Sequence, residues 1–127
     1  NLHALSRLFG MPEWEELSVR MLSAMAASLL RVPAAFANWG LLWQKQAYPF
    51  YEVVTTGPEA RQFSEELMRS IRYPGALFAF SEKDDGGGLP LLEGRFREPE
   101  TLLYVCRNQT CDLPLRSPAE VLTRYFS

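Results

Sequence analysis

The chain is short of the residues that most often carry chemistry. Its 127 residues include one histidine, His3, and two cysteines, Cys106 and Cys111. A tetrahedral zinc set of the usual Cys/His kind cannot be assembled from three such ligands without carboxylates filling in. A nucleophile triad is disfavoured by the same shortage. There is no excess of cation either: 13 lysines and arginines against 15 carboxylates leave a net charge of -2. Phosphate-driven affinity needs the opposite balance, so no nucleic-acid partner is expected.

Long apolar runs are also missing. Crossing a bilayer takes roughly 18 to 20 apolar residues, whereas the longest candidate, residues 21–32, is interrupted by serines and carries Arg31. No membrane association is expected. The opening Asn1-Leu2-His3-Ala4-Leu5 has neither methionine nor a basic-then-apolar leader, so it reads as a cut within a longer chain. A cytoplasmic location is expected. No repeat of solenoid length is present, and no pattern calls for a cofactor.

What the chain does contain is enough apolar material, 47% of its residues, for a real core. Leu2, Leu5, Leu8 and Phe9 recur at helical spacing up to Gly10. Pro12 with Glu13, Glu15 and Glu16 opens a second helix, since proline suits the first turn and carboxylates favour the positive end of the dipole. That helix should run over residues 12–30, with a stripe of Trp14, Leu17, Met21, Met25, Ser28 and Leu29. Leu22, Ala26 and Leu30 make its end apolar almost all round, so neighbours on more than one side are expected. A third helix is predicted over 33–46, with Phe36, Trp39 and Trp43 in the core.

The character then changes. Residues 51–56 are β-branched and aromatic and predict a strand; 58–71 return to helical spacing. Residues 76–80 and 102–106 are unbroken apolar runs, the pattern of strands covered on both faces and hence of a parallel sheet. Strand, helix and strand at this spacing predict a right-handed crossover. The stretch Lys83-Asp84-Asp85-Gly86-Gly87-Gly88 reads as a surface loop, and residues 89–94 as a short helical turn. Ser117 and Pro118 open a last helix with a serine cap. The fold class expected is α/β: N-terminal helices followed by a small three-stranded, mainly parallel sheet with flanking helices. The division falls near residue 48, with a helical segment over 1–48 and a small α/β unit over 49–127.

Three places could carry chemistry. In Cys106-Arg107-Asn108-Gln109-Thr110-Cys111, a turn at Asn108-Gln109 could bring the sulfurs within bonding reach. Two buried thiols, a disulfide or redox pair, and a metal site all remain open readings. The four spacer residues differ from thioredoxin-type spacing. Asn108-Gln109-Thr110 also matches a glycosylation sequon. Thr56 and Gly57, in Thr55-Thr56-Gly57-Pro58, sit where a strand feeds a helix and could offer backbone N–H groups to an anion. An ordinary βα turn is the simpler reading there, because Pro58 removes a donor. Glu15-Glu16, Glu65-Glu66 and Asp84-Asp85 read as solvated surface, and His3 as packing rather than catalysis.

Cys106-x4-Cys111-x2-Pro114, preceded by Tyr104-Val105 and followed by Ser117-Pro118-Ala119-Glu120, resembles the carboxyl-terminal end of the thioredoxin-domain-containing family of the spermatogenesis-associated type, whose bacterial members are called YyaL-like. Leu91-Leu92-Glu93-Gly94-Arg95 is similar to the segment before the cysteine strand, and Pro33-Ala34-Ala35-Phe36 to a late helix. The resemblance implies a parent with a thioredoxin-like domain, an (α/α) toroid similar to sugar epimerases and six-hairpin glycosidases, and a small α/β tail. Residues 1–48 would then be the end of the toroid. It also implies that the chief partner is the rest of the parent chain; the apolar end of the second helix, exposed if isolated, could itself allow self-association. It passes no catalytic residue and no established role to Cys106 or Cys111, so redox or sugar chemistry of the parent stands as the alternative to a purely structural role.

Overall fold

A computed structural model describes residues 1–84, 86–108 and 110–127. Asp85 of the glycine-rich loop and Gln109 of the cysteine turn, with the sequon that contains it, lie outside the described residues. The helical part begins with α1, Leu2–Phe9, which ends on Gly10 at φ 63° with its N–H on the Ser6 carbonyl oxygen. That left-handed position is one glycine fills without strain. Helix α2, Pro12–Arg31, follows with proline in its first turn, and a 3₁₀ turn over Pro33–Phe36 leads into α3, Ala37–Ala47.

The sheet is built from β1, Tyr51–Thr56, β2, Ala76–Ser81, β3, Leu102–Arg107, and β4, Thr110–Cys111. Helix α4, Ala60–Ser70, joins β1 to β2, and α5, Pro118–Tyr125, ends the fold behind a capping box between Ser117 and Glu120. Among the described residues the strand order is β2-β1-β3-β4. Only β1 and β2 are parallel; β3 runs antiparallel to β1, and β4 antiparallel to β3. The three-stranded, mainly parallel sheet expected from the sequence is therefore corrected to a four-stranded mixed one.

The physical reason is that an unbroken apolar strand reports cover on both faces, not direction. One face of the sheet packs Val53, Leu103 and Val105 against Leu67 and Ile71 of the α4 region and Val121 of α5. The other packs Val54 and Ala79 against Leu91 and Leu92 of a 3₁₀ turn, with Leu8 of α1 and Tyr104 alongside. Among the described residues of 82–101 there is no α-helix before β3, so nothing forces a parallel return.

The helices differ from expectation in which face they bury. In α2 the buried residues are Ser18, Leu22 and Leu29, while Leu17 and Met21 of the predicted stripe are exposed. Helix α3 has no fully buried residue; Phe36 and Trp39 are half-buried and Trp43 is 40% exposed. Ser18, Leu22 and Leu29 lie on one side of α2. No described helix is long and apolar enough to cross a membrane.

Candidate functional site

The cysteine turn is a tight hairpin. Asn108 takes φ 51°, a left-handed conformation that asparagine tolerates, and Arg107 pairs with Thr110 across the two-residue connection. Cys106 and Cys111 stand directly opposite each other, and the Asp112 N–H donates to the Val105 carbonyl at 3.1 Å one step further on. The cysteines thus occupy the non-hydrogen-bonded pair between two bonded ones, where side chains come closest. They are joined by a disulfide, with Cα atoms 3.9 Å apart, closer than the usual separation.

The two sulfurs are not equivalent. Cys106 is fully buried and Cys111 half-buried. Arg95 Nη2 donates to Cys111 Sγ at 3.0 Å, Nη1 donates to the Leu91 carbonyl, and the guanidinium lies 5.9 Å from the Tyr104 ring centre. The Arg95 carbonyl accepts from the Tyr104 hydroxyl at 3.0 Å and from Thr56 Oγ1 at 2.9 Å. Arg95 is therefore fixed from both its backbone and its side chain.

A second polar cluster adjoins the first. Cys106 pairs in register with Glu52 of β1, which is fully buried and lies 3.7 Å from Arg7 Nη1. Arg7 also donates to Asn108 Oδ1 at 3.0 Å and lies 3.9 Å from Glu15 Oε1. Glu15 accepts from Gln46 Nε2 at 2.6 Å, from Ser6 Oγ at 3.0 Å and from His3 Nδ1 at 2.7 Å. Burial alone would raise the Glu15 carboxyl; the hydrogen bond from Gln46, the His3 charge and the hydrogen bonds from Ser6 and His3 more than offset it and hold it below the ordinary range. Burial pushes His3 the other way to its partner's pull, down from its ordinary value in spite of Glu15. Arg7 and Arg95 together line a cavity of about 140 Å³ beside the hairpin, with Gly10, Pro90 and Leu91 completing its wall.

Sequence reasoning missed most of this. Glu15, read as solvated, is the hub of the helical cluster. Glu52 gave the clearest overlooked signal, a lone carboxylate within an otherwise buried strand, since such a group needs a partner. Arg95 gave none, because its contact with Cys111 depends on how residues 82–101 are routed. Glu65 and Glu66 do lie at the surface side of α4, where Glu65 pairs with Arg69.

At the other candidate, Thr56 is buried and its hydroxyl is bound to the Arg95 carbonyl. The Gly57 N–H donates to the Ser81 carbonyl at 3.1 Å, and the Glu59 N–H to Thr101 Oγ1 at 3.0 Å. A Cβ at Gly57 would come within 2.4 Å of the Glu100 carbonyl oxygen. The Gly57 and Glu59 N–H groups are thus each engaged within the chain.

The sequence has relatives. The chain is similar to spermatogenesis-associated protein 20. It is 26% identical to the human protein over 129 residues, 27% to the rat protein and 26% to the mouse protein, each match covering 95% of this chain. The chain spans 16% of the length of these relatives. No family model matches, and no solved structure matches.

Proposed function

We propose that this chain is a structural and interaction module of a larger protein, seated on the rest of its parent through the outer faces of α2 and α3. The observation that carries this reading is the apolar surface those helices present: Leu30 is 72% exposed, Leu41 52% and Trp43 40%, and Met21 and Leu17 are exposed as well. Exposed large apolar residues gathered on one helical pair support an interaction surface there. The match to much longer relatives supports the same view. In the finer form of the proposal the parent is a thioredoxin-domain-containing protein of the YyaL-like kind. Residues 1–48 then close an (α/α) toroid, and 49–127 form a tail packed against it.

Light scattering coupled to size exclusion tests the reading. The chain alone should self-associate with rising concentration or bind a hydrophobic dye, and Leu30→Glu with Leu41→Glu should suppress both. A strictly monomeric, dye-silent chain would overturn it.

A second reading, in which the parent is a redox or sugar-active enzyme and Cys106 and Cys111 contribute to its chemistry, is favoured on its redox side by the disulfide and its bound arginine. Nothing at the hairpin favours the sugar-active side.

A further inference from the structure

We propose that the hairpin is a thiol–disulfide exchange site in which Cys111 is the sulfur that meets the external partner, Cys106 resolves the mixed disulfide, and Arg95 is the positioning residue. This deepens the redox reading above and rests on it. The partner class is a thiol or disulfide that also carries a carboxylate.

Three independent features carry the assignment. Exchange proceeds by attack of a thiolate on a reachable sulfur, and only Cys111 is reachable, since Cys106 is fully buried. A fixed positive charge at a cysteine favours thiolate over thiol, and Arg95 places one 3.0 Å from Cys111 Sγ. Beside it lies a recess of about 140 Å³, where Arg7 is already paired with Glu52 and Glu15 and the Arg95 guanidinium is the cation that a carboxylate of an incoming molecule would meet.

With the pair reduced, the Cys111 thiolate attacks one sulfur of an external disulfide; a bond forms between the two sulfurs, the external S–S bond breaks, and its other half leaves as thiolate. Cys106 then loses its proton to a base of the buffer and attacks Cys111 Sγ. The bond between Cys106 and Cys111 re-forms and the second external thiolate departs. Two electrons pass from the cysteine pair to the external disulfide, and the reverse sequence oxidises external thiols.

The decisive experiment incubates the native chain in glutathione buffers, quenches with acid and maps the adduct by mass spectrometry. A reversible adduct on Cys111 is expected, with the fold intact by circular dichroism. Cys106→Ser, which leaves Cys111, should react with oxidised glutathione at least about tenfold faster than Cys111→Ser. Arg95→Gln should slow that reaction and move the midpoint of its pH–rate profile upward, with partial recovery in Arg95→Lys. Mercaptoacetate should outpace cysteamine once each rate is corrected for its thiolate fraction. An adduct on Cys106, equal rates in the two serine variants, or an unmoved profile in Arg95→Gln would overturn the assignment while leaving redox chemistry standing. A disulfide inert to glutathione until the chain unfolds would sink the redox reading itself. Mapping the native chain needs no variant, so a misfolded mutant does not spare the proposal.

Discussion

His3 donates its Nδ1 proton to Glu15, which leaves Nε2 as a bare lone pair; Nε2 is buried with no hydrogen-bond partner, and the ring stands edge-on to Phe50 at 4.5 Å. Burial of the ring disfavours its charged form and accounts for the downward shift, with the charges of Arg7 and Lys45 adding to it. In the unfolded chain His3 takes up its proton as pH falls below about 6.5, whereas the folded chain resists. The unfolded state then binds more protons, so stability is full above that value and declines as pH drops through the lowered folded pKa. Glu15, also lowered, adds a second loss in a more acidic window, below the ordinary carboxylate value. Urea midpoints measured between pH 7 and 5 should fall for the native chain and stay flatter for His3→Asn, whose amide can still donate to Glu15. An equal slope in both would remove His3 as the cause.

At the scale of elements, the turn from β1 to α4 holds the strictest backbone demand. Gly57 takes φ 123° with the Glu100 carbonyl oxygen and Thr101 Cα crowding the site of any side chain. Gly57→Ala should cost more than about 2 kcal/mol, read as a lower urea midpoint with an unchanged slope. Most elements were legible because their punctuation is chemical: Gly10 ends α1, Pro12 opens α2, and Ser117 with Glu120 caps α5. The strands showed through their β-branched and apolar runs. Direction in the sheet did not, because both faces of β1 and β3 are covered whichever way β3 runs. The covered face of α2 was equally hidden, since apolar residues surround its last turns and only tertiary neighbours choose among them. At the site, the cysteines were visible, but the contacts of Arg95 with Cys111 and of Arg7 with Glu52 join residues far apart in the chain.

For the molecule as a whole, α1 ties the helical part to the sheet. Leu8 packs on the core around Val54 and Leu92, and Arg7 reaches Asn108 across 101 positions of sequence. Leu8→Ala should therefore lower the unfolding midpoints of helix content and of the near-UV signal of Tyr51 and Tyr104 together, a loss of about 1 to 3 kcal/mol. Two separate transitions, one moved and one not, would show instead that residues 1–48 and 49–127 melt independently. The strand order has a consequence for synthesis. β1 can pair with β2 once residue 81 has left the ribosome, yet its other edge is covered only by β3, which is complete at Arg107. Throughout the translation of residues 82–107, a six-residue strand rich in valine and threonine stands open along one side. That interval is when a nascent chain of this kind is most exposed to pairing with a neighbour's strand instead of its own.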